Sequence, residues 1–265
     1  MSVLAEWFHN SLVQSMLLSP LVGAILGILF SGLNSSPKPS ERLPTRVTMT
    51  TIRNKGVHHH YGRQSNSQDD AIAYIALVFG VVAAVVWGYS RYVDQILVGW
   101  TQIQLTCGSF IVAAGTASAM KKHFTQPEWW WHIALPLALV VSTAHLSALA
   151  HHGAALVAHT HSLAWSMGWF DYYLNGLSED ERMWILLQAF GVFMGIIATI
   201  TAATRGIHYL ALMNQRSDSP VHRFWFSLSR ASAFSGGTTG IAALALTNAT
   251  SYFALSGKAF QYLTA

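Results

Sequence analysis

The chain has 265 residues, of which 52% are hydrophobic and only 10% charged, with a formal net charge of +4. A soluble domain carries about a quarter charged residues, so the composition excludes an ordinary soluble fold and points to a polytopic membrane protein. The pI of about 9.3 fits the excess of Lys and Arg in loops of membrane proteins, and no nucleic-acid partner is expected.

Six apolar runs hold no Asp, Glu, Lys or Arg and are long enough to cross a bilayer, which takes ~20 residues. They lie at roughly 11–33, 71–89, 95–120, 130–150, 183–203 and 231–255. The expected fold is therefore all-α, a polytopic integral membrane protein of about six transmembrane helices. It divides into an N-terminal transmembrane helix (1–33), a basic cytoplasmic segment (34–70) and a five-helix membrane bundle (71–265). Before the first run stand Glu6 and His9 and no basic residue, which favours a retained helix over a cleaved signal.

Run one carries Ser19, Gly23, Gly27 and Ser31, each four apart. They fall on one helix face as a small-residue groove of the kind that lets membrane helices approach closely. The long segment that follows leaves this helix partly detached, so the groove is expected either to pack within the chain or to dock on a second copy. Residues 34–70 open on Ser and Pro, and their middle, "RVTMTTIRNKGVHHHY", surrounds Asn-Lys-Gly with β-branched residues. A short β-hairpin at 45–61 and an irregular chain both fit this pattern. Arg42, Arg46, Arg53 and Lys55 make it a candidate docking site for an acidic protein or anionic lipid. Its triple histidine, His58, His59 and His60, has no second cluster at finger spacing.

Run three adds neutral polar groups, Thr101, Gln102, Gln104 and Thr106; run five has Gln188 and run six Thr247 and Asn248. Gln102, Gln104, Thr106, Gln188 and Asn248 are candidate pore-lining residues, because neutral side chains wet a pathway without trapping ions. They equally suit bonds between helices. Cys107, the single cysteine, excludes an internal disulfide and a cysteine-rich metal cage. Gly236 and Gly240 form a second small-residue contact, in a stretch, "SGGTTG", that interrupts run six.

The histidines gather where run four ends: His145, His151, His152, His159 and His161. As one helix, His145, His152 and His159 share a face but rise ~10.5 Å per step. Two nitrogens on one zinc are only ~4 Å apart, since each bond is about 2.0–2.1 Å. His159 and His161 chelate only if extended, with no acid nearer than Asp171. A haem held by two histidines has one cross-helix pair open to it, His132 and His208. No cofactor is expected on these grounds, with metal or haem as the outlying alternative. Residues 151–182 are too polar for a clean span and read as an outer interfacial segment.

Basic residues orient the bundle. Lys38, Arg42, Arg46, Arg53, Lys55, Arg63, Lys121, Lys122, Arg205, Arg216, Arg223 and Arg230 fall in alternate loops, 12 of the 15 basic residues. The rule that such loops stay inside places them in the cytoplasm and both termini outside. Trp129, Trp130, Trp131, Trp87, Trp165, Trp169 and Trp184 stand at the expected interfaces. No G-x-S-x-G, Walker A or dinucleotide motif occurs, and no run holds a carboxylate for acid–base work.

Three functions fit. The first is a non-enzymatic membrane protein that self-associates into a channel-like or membrane-perturbing assembly. The second is an integral anchoring subunit of a larger membrane complex. The third is a metal- or haem-dependent membrane oxidoreductase built on the His145–His161 cluster.

Overall fold

Every element the computed structural model describes is helical; it describes residues 19–26, 67–120, 130–214 and 222–264. No strand occurs among them. The hairpin expected at 45–61 and the docking residues Arg42, Arg46, Arg53 and Lys55 lie outside the described residues. Among the described residues three helices are long and apolar enough to cross a membrane, over Tyr74–Ala117, Trp130–Leu156 and Glu179–Leu212. The chain is thus all-α and has the makings of a membrane protein, with fewer candidate spans than the six expected.

The elements in order are α1 (residues 19–26) and α2 (Ser67–Met120). Helix α3 (Trp130–Leu156) opens in a π-helical turn. Two short elements follow, α4 (Ala158–Ser166) and α5 (Trp169–Asp171, continued by Tyr172–Gly176). Then come α6 (Glu179–Asn214), α7 (His222–Ala231), α8 (Ala233–Gly236), α9 (Thr238–Leu255) and α10 (Lys258–Thr264).

The main departure from expectation is α2. Runs two and three fall in one continuous stretch of 54 residues, in which two helices meet at a kink at Tyr92 (φ −119°, ψ 18°). Residues 90–94, "SRYVD", contain no glycine or proline to reverse the chain. The patch that separates the two runs is therefore a kink within α2.

The polar patch at the bend is covered at Arg91, while Tyr92 and Asp94 stay exposed. The Arg91 guanidinium lies over the Trp165 ring at 4.2 Å and the Trp87 ring at 4.9 Å, cation–π contacts that replace water around the charge. The Trp87 indole donates to the carbonyls of Ala164 (3.0 Å) and Met167 (3.2 Å). Phe79 meets Tyr173 edge-on at 5.2 Å. Segment 158–177 is thus a cap on the first half of α2. Tyr172 is buried in it beside Ser90 and Thr160, and burial pushes its phenol up from the usual range.

The second half of α2 joins α3, α6 and α9 in a four-helix bundle. Hydrogen bonds give the directions. Gln104 meets the Thr143 carbonyl and Thr101 meets Ser147, so α2 and α3 are antiparallel. Ser251 donates to the Gly191 carbonyl and Arg205 to that of Ser235, so α6 and α9 are antiparallel. The Trp100 indole donates to Thr199 at 3.2 Å, and Phe110 and Ile111 border Gly206, so α2 and α6 run together. Helix α6 starts on a capping box: the Glu181 amide donates to Ser178 Oγ, and Glu181 Oε2 accepts from the Ser178 amide at 2.8 Å. The acidic run Glu179, Asp180 and Glu181 thus begins α6, where carboxylates offset the positive helix end.

Close approach of α2 and α6 depends on Gly195. A Cβ there would overlap the indole of Trp100, which is 1% exposed. Gly195→Val is expected to destabilise the bundle by about 1–3 kcal/mol, the usual cost of overpacking. Gly80, with open space at its Cβ position, is the control: Gly80→Val should leave thermal unfolding in detergent nearly unchanged.

Candidate functional site

Buried polarity is densest where α6 ends against the break between α8 and α9. Arg205 is 2% exposed. Its Nε donates to the Trp131 carbonyl at 2.8 Å, and one terminal nitrogen donates to the carbonyls of Ser235 and Gly237. Among the described residues no carboxylate pairs with it. Its partners are backbone carbonyls at the break between α8 and α9 and in the first turn of α3. The cation serves as their shared donor, and it ties α3, α6, α8 and α9 at one point.

Two histidines flank it. His208, one turn on from Arg205, places Nδ1 3.0 Å from Ser232 Oγ. His132 stacks on Tyr209 with ring centroids 5.7 Å apart and stands 6.2 Å from the His208 ring. The pair singled out from the sequence is therefore adjacent in space. Gly236 fits against the edge of the His208 imidazole, with no room for a Cβ. No slot for a macrocycle separates rings that pack on Tyr209 and Gly236.

The Ser232–His208 contact invites a nucleophile reading, and its geometry opposes one. Ser232 Oγ donates to the Leu228 carbonyl at 2.7 Å, so toward His208 it is the acceptor and Nδ1 carries the hydrogen. A general base would need the reverse, and among the described residues no acid orients the far nitrogen.

The other sequence-nominated residues are dispersed. In α1, Gly23 is buried against Thr106, Ser109 and Phe110 of α2, and Ser19 is half-buried; Gly27 and Ser31 lie outside the described residues. Gly240 packs on the backbone of Ser235. Gln104 donates to the Thr143 carbonyl at 2.8 Å and Gln188 to that of Leu255 at 3.3 Å, both buried. Asn248 accepts from Ser142 at 3.0 Å. Gln102 is half-buried, and its carbonyl accepts from Thr106 at 2.9 Å.

The five histidines diverge because the helix breaks at Val157. His145 stacks on Tyr252 with centroids 6.5 Å apart, and His151 Nδ1 meets the Ser147 carbonyl at 2.9 Å. His152 is exposed. His159 pairs with Glu181 at 2.7 Å. Burial lowers the His161 pKa, partly offset by Asp94. Among the described residues no group of three or more His, Cys, Asp or Glu is placed to hold a metal.

Sequence reading counted Arg205 with the cytoplasmic loop charges, and it is instead the most buried cation described. The available signal was its spacing to His208, three residues on, which puts both on one helix face. Comparison of the chain with protein-family models, with curated proteins and with solved structures found no match.

Proposed function

We propose that the chain is a non-enzymatic, multi-pass membrane protein that acts as an integral anchoring subunit of a larger assembly. The observation that carries this reading is how the interior polar groups are used. Gln104, Gln188, Ser142, Asn248, Thr199, Ser251 and Arg205 bond to neighbouring helices. Such bonds hold membrane helices together, and they commit the Gln104 and Gln188 amides to backbone carbonyls of neighbouring helices rather than to a water-filled path. The first half of α2 supplies the contact surface. Tyr74, Ile75, Leu77 and Val81 are 66%, 67%, 65% and 56% exposed, and such a stretch requires cover by lipid or protein.

Native mass spectrometry of the gently solubilised protein tests the reading. The expected result is the 29.0 kDa chain in fixed ratio with other protein chains, with Val81→Asp releasing it, because a charge on an apolar contact is costly. A strict monomer would sink the subunit reading. A homo-oligomer that conducts ions in planar bilayers would replace it with the channel-like one.

A further inference from the structure

Between α2 and α3, with α1 on one rim, runs a groove of about 580 Å³ whose lining changes character along its length. At the end where α3 terminates it is bordered by Thr101, Gln104, Ser147 and His151; at the other end by Val112, Leu137, Val140 and Val141. From Thr101 to Val112 the helix rises about 16 Å. That is about half the ~30 Å hydrocarbon thickness of a bilayer, the depth of one leaflet.

The polar end has a definite hydrogen-bonding sense. His151 Nδ1 lies 2.9 Å from the Ser147 carbonyl. A carbonyl only accepts, so Nδ1 carries the hydrogen, and the neutral ring keeps a lone pair on Nε2. Thr101 has spent its hydroxyl hydrogen on the Leu97 carbonyl at 3.0 Å and is an acceptor toward anything else. Gln104 has committed one amide hydrogen to Thr143. Among the described residues the lining holds no Lys, Arg, Asp or Glu. A phosphate head would meet no counter-charge there; a hydroxyl head would meet acceptors it can satisfy.

We propose that this groove is a binding site for a neutral membrane amphiphile with one hydrocarbon tail and a hydroxyl-bearing head, the head at His151 and Thr101 and the tail along Val141 and Val112. The site rests on the membrane-spanning reading of α2 and α3 but not on the anchoring role, so either fails without the other.

The test uses the full chain in phosphatidylcholine nanodiscs and two photoactivatable probes with the same diazirine-bearing tail, a monoacylglycerol and a lysophosphatidic acid. After irradiation, labelled residues are mapped by mass spectrometry. The monoacylglycerol is expected to concentrate on Val112, Leu137 and Val141 and to be displaced by unlabelled monoacylglycerol. The lysophosphatidic acid is expected not to concentrate there. Ala144→Trp, which fills the groove from an exposed position, should abolish the focus while unfolding temperature holds. His151→Phe, also at an exposed position, should weaken monoacylglycerol binding about fivefold, the loss of one hydrogen bond. Labelling spread over lipid-facing residues such as Phe190 and Phe193, equal labelling by both probes, or indifference to both substitutions would overturn the proposal.

Discussion

Arg205→Leu is expected to lower the stability of the bundle by roughly 3–5 kcal/mol, from two or three charge-assisted hydrogen bonds at about 1.5–3 kcal/mol each, less the desolvation cost the cation no longer bears. The side chain is 2% exposed and its donors reach the carbonyls of Trp131, Ser235 and Gly237. Leucine keeps much of the volume and none of the donors, so those carbonyls lose their shared donor. Arg205→Lys retains the charge but not the planar fork that reaches α3 and the α8–α9 break together, and it should fall between wild type and leucine. Thermal unfolding in detergent gives the order. Hydrogen exchange gives the place: in the leucine variant, protection should fall first at residues 233–241 and 131–135. Uniform loss across α6 would mean that Arg205 only fills space. Unchanged stability would mean that those carbonyls find other donors.

The bundle was legible from hydropathy because its helices obey one rule each. Runs three to six are apolar, they alternate in direction, and the chain pairs them in that order. The neutral polar residues were legible too as bond-formers, since Gln104, Gln188 and Asn248 had no charge to balance and lay deep in apolar runs. What was not legible came from distant segments. The patch "SRYVD" between two apolar runs has the look of a turn between two spans. It is a kink between two helical stretches, beside which Trp165, some 70 residues away, covers Arg91, and Trp87 is tied to Ala164 and Met167. Nothing local to residues 90–94 announces that cover. The histidine cluster shows the same division. Its spacing argued against one shared ion, whereas its separate partners, Glu181, the Ser147 carbonyl and Tyr252, are set by the break at Val157 and by packing. Arg205 was hidden by its position, since a basic residue just past an apolar run is the ordinary mark of a helix end at a membrane face.

Gly23→Leu is expected to lift α1 off α2. A Cβ at Gly23 would overlap the carbonyl oxygen of Thr106 and the hydroxyl of Ser109, and it would crowd the Phe110 amide. Two of these three are helix backbone, which cannot move aside by changing rotamer, so the strain must go into separating the helices. Overpacking of this kind costs about 1–3 kcal/mol, a fall of roughly 5- to 150-fold in the docking equilibrium constant. The single cysteine supplies the measurement. Cys107 and Leu26 border the same apolar cavity of about 250 Å³. A Leu26→Cys variant treated with a short bismaleimide should therefore cross-link to Cys107 within one chain. Adding Gly23→Leu should reduce that product about tenfold, with the assembly size unchanged. The opposite pattern, an intact internal cross-link and a smaller assembly, would show that Gly23 serves contact between copies. The glycine row of α1 admits both uses when read as sequence. The geometry at Thr106 and Ser109 favours the internal one, because a glycine already filled by its own chain has no groove left to offer a neighbour.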